Sequence, residues 1–295
     1  MARQGHFRSE AITIESGKPS GREIAALQGS PCGQNDEGWW SAVRGEGPIV
    51  ATAIHNGTRL RREAAALMRL SDADRLREED PYTGDIIAAV PTRIVANRSR
   101  FEVDLNRGRD EAVYRTPDQA WGLEVWKQSP SDDFVSRSLA LHDRFYEMMR
   151  ALLEGLVNDH GTFVLLDVHS YNHRRDGAGA PATPLAKAPE INIGTFSMPP
   201  GRWTRVLDAL VDTVGSFDFL GRRLDVRMDV AFQGKGALAR FVHENFPDTG
   251  CAIALEAKKF FMDEWTGVPY RREIDTLQRL VAALVPALRA ASRSR

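Results

Sequence analysis

The sequence predicts an α/β fold, and two apolar runs that each end in a histidine carry the prediction. Phe163-Val164-Leu165-Leu166-Asp167-Val168-His169-Ser170-Tyr171 follows Gly161-Thr162 and is apolar almost without interruption, so it reads as a central strand buried on both faces. Pro48 to Gly57 repeats the pattern, with Ile49-Val50-Ala51-Thr52-Ala53-Ile54 delivering His55 into the turn at Asn56-Gly57. At 295 residues the chain is long enough for one large domain with a core on both faces of its sheet. Open α/β sheets bind ligands outside the carboxyl ends of their strands, which is where both histidines fall.

The elements follow in order. Residues 1–46 are rich in Gly, Ser and charge, with weak periodicity around Glu23 to Leu27, and read as a variable arm before a single domain over residues 47–295. Arg61 to Leu70 has the spacing of a short helix, and Ser71-Asp72-Ala73-Asp74 supplies cap-type residues for another. Glu78 to Asp85 reads as an acidic loop, because Pro81 and Gly84 both interrupt helix. Arg93 to Val95 and Phe101 to Leu105 have strand character. Phe134 to Asn158 places Leu139, Phe145, Met149, Leu152, Leu153 and Leu156 at helical spacing and is the longest predicted helix. After the His169 strand, the Gly-, Pro- and Ala-dense stretch from His173 to Pro189 suits the rim of a site. Trp203 to Val214 reads as a helix, Leu224 to Val230 as a strand and Gly236 to Phe246 as a helix. Ala252 to Leu255 is a short strand that delivers Glu256, and Arg271 to Ala291 is a closing amphipathic helix.

Composition narrows the partners. A formal charge of -1 with interspersed signs gives no basic face for nucleic acid or a membrane surface, so a small molecule is the expected partner. No apolar run approaches the ~20 residues of a membrane span, and the N-terminus lacks the apolar core of a signal peptide. Cys32 and Cys251 stand far apart, and Cys251 opens an apolar run, which fits free thiols in a reducing cytoplasm.

Two strand-end histidines suggest a shared metal. A catalytic zinc takes three ligands from His and carboxylate and keeps one position open for water, whose pKa it lowers toward ~7. A lone histidine is more often a surface or hydrogen-bonded core residue, but His55 and His169 share one context. The nearest concentrated source of a third ligand is Glu78-Glu79-Asp80, where Asp80 beside Pro81 is the first choice and Glu79 the second. A solvated charge run accounts for the remaining acids.

At this point a resemblance enters. Ile54-His55-Asn56-Gly57-Thr58-Arg59-Leu60, Ser99-Arg100-Phe101-Glu102-Val103-Asp104-Leu105-Asn106-Arg107, Leu166-Asp167-Val168-His169-Ser170, Ile191-Asn192-Ile193-Gly194-Thr195, and Leu255-Glu256 with Phe261-Met262-Asp263-Glu264 occur in the order of the N-formylglutamate amidohydrolase family. That family is itself similar to zinc carboxypeptidases in fold and site. The resemblance implies a three-layer α/β/α domain with a mixed sheet and one zinc ion. It also implies hydrolysis of a small anionic N-acyl amino acid, N-formyl-L-glutamate first, with a place in histidine degradation.

It implies roles as well. His55 and His169 match the metal-binding histidines, Glu256 resembles the general base, and Arg100 resembles the arginine that polarises the scissile carbonyl. Asn106 and Arg107 resemble the pair that binds a substrate carboxylate. The carboxypeptidases carry a metal-binding glutamate three residues after the first histidine, where this chain has Thr58. Beside the resemblance, the residues allow other readings. Arg100 and Arg107 suit bidentate carboxylate binding but equally an ion pair with Glu102 or Asp104. Glu256 after four apolar residues is either catalytic or a buried, paired structural carboxylate. Asp167 either orients His169 or packs locally, and Lys235 and Arg240 add positive charge at the site or belong to a solvated helix end. A carboxypeptidase, a deacylase with another acyl group, and a metal-free binding protein are the rival functions.

Overall fold

The two apolar runs become neighbouring strands. A computed structural model describes residues 38–293. In chain order the strands are β1 (Trp40–Val43), β2 (Ile49–Ala53), β3 (Thr92–Ala96), β4 (Phe163–Tyr171), β5 (Ile191–Gly194), β6 (Val226–Met228) and β7 (Gly250–Lys258). They form one sheet in the order β1-β3-β2-β4-β7-β5-β6. The centre, β3-β2-β4-β7, is parallel; β1 joins β3 and β5 joins β7 antiparallel, so the sheet is mixed. All nine residues of β4 and of β7 are buried, as a continuous apolar run requires.

Helices cover both faces. They are α1 (Arg62–Leu67), α2 (Asp72–Glu78), α3 (Thr83–Ile86), α4 (Asp132–His160), α5 (Thr204–Ser216), α6 (Ala237–Asn245) and α7 (Arg271–Arg293). Alternate side chains of the central strands go to opposite cores. Val164, Leu166, Val168, Ile253 and Leu255 pack with Leu210 of α5 and Leu277, Leu280 and Leu284 of α7. Phe163, Leu165 and Ala252 pack with Phe145, Met149 and Leu152 of α4 and Val242 of α6. The three-layer α/β/α expectation holds. A smaller cluster around Phe101, Tyr114, Trp126 and Phe134 supports the irregular segment between β3 and α4, which carries Arg100 to Arg107.

Five expectations need correction. The sheet begins at Trp40, inside the stretch expected to be an arm, because Trp39, Trp40 and Ala42 are buried and Trp40 meets Phe145 edge-on at 5.6 Å. The rest of that arm, residues 1–37, and Cys32 with it, lie outside the described residues. Phe101 to Leu105 is no strand: the chain turns there, with Glu102 N–H bonded to Ser99 O and Arg107 N–H to Asp104 O. Glu78 to Asp85 is not all loop, since Glu78 ends α2 and Thr83 begins α3. The Leu224 to Val230 strand shrinks to Val226–Met228, whereas Ala252 to Leu255 grows to Gly250–Lys258 along β4. No helix among the described residues is long and apolar enough to cross a membrane. Cys251 is a free, buried thiol in β7.

Candidate active site at the strand ends

Parallel pairing of β4 with β7 places His169 directly beside Glu256, at the carboxyl ends of both strands. His55 leaves the end of the neighbouring β2 in a turn that only glycine permits at its next step. A Cβ on Gly57 would stand 2.3 Å from the backbone of Asn97 and Arg98. Asn56 Oδ1 accepts a bond of 2.9 Å from Gly84 N–H, and Asp80 N–H donates 2.9 Å to His55 O. These two bonds carry Asp80 across 25 residues of chain to the histidines.

His55, Asp80 and His169 are all nearly fully buried, and one ligand atom from each lies within 4.8 Å of the others. Each ring is held from behind. Asp104 Oδ1 is 2.7 Å from His55 Nε2, and Asp167 Oδ2 is 2.9 Å from His169 Nε2. With Nε2 engaged by a carboxylate, each ring turns Nδ1 toward Asp80, at 3.4 Å for His55 and 3.0 Å for His169. His55 Nδ1 is buried with no hydrogen-bond partner among the described residues. A buried orphan imidazole nitrogen facing a second imidazole and a carboxylate is what a divalent cation satisfies, so this donor set fits zinc.

The electrostatics suit a cation. Burial opposes ionisation of Asp80, but hydrogen bonds from His169 and His55 outweigh it and hold the carboxyl well below its usual range. Burial opposes the charge on Asp104 too, and is outweighed by Arg100 and His55. Glu256 has no such partner: burial raises its pKa to about 7, with the positive field of His169 offsetting only part.

Glu79, the second choice for third ligand, points away. It accepts from Ser99 Oγ and from Arg75 Nη1 at 3.3 Å, and burial raises its pKa to about 7. Thr58 is exposed; its carbonyl accepts from Arg75 Nη1 at 2.9 Å. The turn that presents Asp80 is anchored by buried Lys259, whose Nζ donates to Arg77 O and, at 2.8 Å, to Glu79 O.

Arg100 and Asp104 form the ion pair that the sequence allowed, buried rather than on the surface: Arg100 Nη2 is 2.8 Å and Nε 3.2 Å from Asp104 Oδ2. Burial disfavours the guanidinium charge, yet Asp104 outweighs that and raises the Arg100 pKa. Arg100 still faces the cleft, with Trp121 4.8 Å from its guanidinium carbon. Asn106 Nδ2 lies 3.3 Å from His169 Nε2, and its Oδ1 accepts from Leu238 N–H at 3.3 Å.

The cleft has two adjoining chambers of about 490 Å³ each. His55, Asp80, His169, Glu256, Arg100 and Asn106 line the first. Arg107, Lys235 and Arg240 line the second, which shares Arg100, Asn106, Phe232 and Glu256 with the first. Arg107 and Arg240 are therefore near Glu256 but outside the histidine chamber. Asn192 shapes this wall: its Oδ1 accepts from Val230 and Ala231 N–H at 3.0 and 2.9 Å, and its Nδ2 donates to Phe232 O at 2.7 Å.

Sequence reasoning did not find Trp121, Tyr114, Phe232, Asn172 or Lys259. Tyr114 hydroxyl donates to Asp104 Oδ2. Trp121 lines the first chamber from a backbone at φ 53°, a left-handed conformation rare for so large a residue, and is 54% exposed. Nothing in its local sequence signals either property. Lys259 had one available signal, a cation directly following a buried strand.

The family model of N-formylglutamate amidohydrolase matches residues 47–261. Among solved structures, the fold is similar to an N-formylglutamate amidohydrolase from Ralstonia eutropha JMP134. That likeness has a TM-score of 0.65 and 18% identity, covering 85% of this chain and 96% of that one. It is also similar to a gene product of Agrobacterium tumefaciens, with a TM-score of 0.59 and 14% identity over 83% of this chain and 92% of that one. No curated protein sequence matches significantly.

Proposed function

Because the chain belongs to the N-formylglutamate amidohydrolase family, we propose that this amidohydrolase uses one divalent ion, zinc, to cleave the amide of a small anionic N-acyl amino acid. N-formyl-L-glutamate, split to formate and L-glutamate, is the substrate the family favours. The observation that carries the reading is the buried His55, Asp80 and His169 cluster with Glu256 on the strand position beside His169.

A bound zinc ion at His55, Asp80 and His169 would polarise the acyl oxygen and acidify water. Glu256 takes a proton from water as its oxygen bonds to the acyl carbon, and gives it to the leaving nitrogen as the C–N bond breaks. A base raised to about 7 by burial is matched to that transfer near neutral pH. Arg100, its charge secured by Asp104, adds positive potential where the oxyanion develops. Asn106, Arg107 and Arg240 hold the carboxylates of the amino acid in the second chamber. Asp104 and Asp167 keep both imidazoles aimed inward.

The test is formate release from N-formyl-L-glutamate by zinc-loaded and chelator-treated enzyme. Release that needs zinc is the expected result. Zinc-independent release would overturn the metal role, and no release from any N-acyl amino acid would overturn the reading. The buried His55, Asp80 and His169 cluster beside Glu256 supports an enzyme over a metal-free binding protein.

A further inference from the structure

The acyl side of the cleft is larger than a formyl group can use. A formyl group has two heavy atoms and fills roughly 60 Å³, two waters' share of liquid volume. The chamber beside the histidines measures about 490 Å³. If Arg107 and Arg240 hold the amino-acid part in the second chamber, the first is left to the acyl group.

Its walls have a definite character. Trp121, Leu123 and Phe232 face it, and Trp121 and Phe232 are 54% and 38% exposed, apolar surface suited to a methylene chain. The charges are nearly all engaged. Arg100 is paired with Asp104, and Lys259 binds backbone carbonyls. Glu78 accepts from Asn172 Nδ2 at 3.1 Å and Arg77 Nη1 at 3.5 Å. The Arg77 guanidinium carbon lies over the Trp265 ring, 3.9 Å from its centroid. Arg175 is different: it lines the chamber, is exposed, and has no hydrogen-bond or ion-pair partner among the described residues.

Nor is Arg175 carried on an unrestrained loop. Glu264 accepts from His173 N–H at 2.7 Å and from Arg174 N–H at 2.8 Å. Arg174 O in turn accepts from Trp265 Nε1 at 3.2 Å and Arg77 Nη2 at 3.3 Å. The peptide just before Arg175 is therefore held from both sides, and Glu264 in the Phe261 to Glu264 segment acquires a purpose.

We propose that the first chamber admits acyl groups longer than formyl that end in a carboxylate, with Arg175 binding that carboxylate and Trp121 and Phe232 flanking the chain. The inference rests on the hydrolytic reading above and names the acyl class of the same site. Hydrolysis of such a substrate consumes one water and releases a dicarboxylic acid and the amino acid.

The test compares kcat/KM of zinc-loaded enzyme on N-formyl-, N-acetyl-, N-butanoyl- and N-succinyl-L-glutamate, for the wild type, Arg175→Ala and Arg175→Lys. Butanoyl matches succinyl in length without the charge. The wild type should favour succinyl over butanoyl and acetyl. Arg175→Ala should lower the succinyl-to-butanoyl ratio by about 10-fold or more, the scale of a charge-assisted hydrogen bond, and Arg175→Lys should restore part of it. Equal rates on succinyl and butanoyl, or a ratio that Arg175→Ala leaves unchanged, would overturn the proposal. Turnover of N-formyl-L-glutamate with succinyl rejected would overturn it while sparing the hydrolytic reading. Failure on all four substrates would overturn both.

Discussion

At the strand ends His55, Asp80 and His169 are almost wholly buried, and every one is held by another side chain. A few residues away Arg107, Arg175 and Arg240 line the same cleft from loops and a helix start, and Arg175 and Arg240 are exposed. The centre is preorganised, so it can hold a charged ion in fixed geometry. The rim is more open, so it can vary in sequence at little cost to the fold. On the proposed reading, chemistry belongs to the buried centre and substrate choice to the open rim, and substitutions should separate them.

The largest effect should come from the centre. Glu256→Gln keeps shape and removes the base, and kcat should fall by on the order of 10²-fold or more while bound metal stays at wild-type level. Near-normal kcat in a folded, metal-loaded variant would leave Glu256 a structural carboxylate. Next is the support behind His169. Asp167 Oδ2 bonds His169 Nε2 and its Oδ1 accepts from Thr52 Oγ1 at 2.7 Å, so Asp167→Asn should weaken zinc by about 10- to 100-fold in a competition titration. Unchanged affinity would show that packing alone orients the ring.

The rim should respond through KM. Arg107 donates to Gln119 O at 3.2 Å and lies 5.6 Å from the Tyr114 ring. Arg107→Met should raise KM by about 10-fold, the loss of one charge-assisted bond. A larger rise for N-formyl-L-glutamate than for N-formyl-L-glutamine would place Arg107 on the side-chain carboxylate, and equal rises on the α-carboxylate. An unchanged KM for both would remove it from substrate binding. Smallest in activity, though not in stability, should be Lys259→Met. It strips a donor from a buried and a half-buried carbonyl and should cost about 1–3 kcal/mol in denaturant unfolding. A neutral result would mean the Asp80 turn holds itself.

The same division decides what was legible in the sequence. Burial on both faces forces the continuous apolar run of β4, and the run advertises both the sheet and His169 at its end. His55 and Glu256 are visible for the same reason. Asp80 could be ranked above Glu79 from Pro81, but the contacts that bring it to His55 are a backbone bond and Asn56, which no periodicity records. Phe101 to Leu105 looked like a strand because Phe101, Val103 and Leu105 alternate. All three are indeed buried, in clusters between loop and helices rather than in a ladder. Trp40 was hidden in the Gly- and Ser-rich stretch, where an edge strand of four residues leaves little pattern. Trp121 and Arg175 belong to irregular segments whose position depends on distant partners such as Glu264, so only tertiary structure shows them.

His55, Asp80 and His169 should together hold one divalent ion. Elemental analysis of purified, zinc-equilibrated protein tests it most directly, on the wild type, His169→Ala and Asp80→Asn, with folding checked by circular dichroism. One zinc per chain in the wild type and far less in both folded variants is the predicted result. Equal zinc in all three, or none in the wild type, would contradict it.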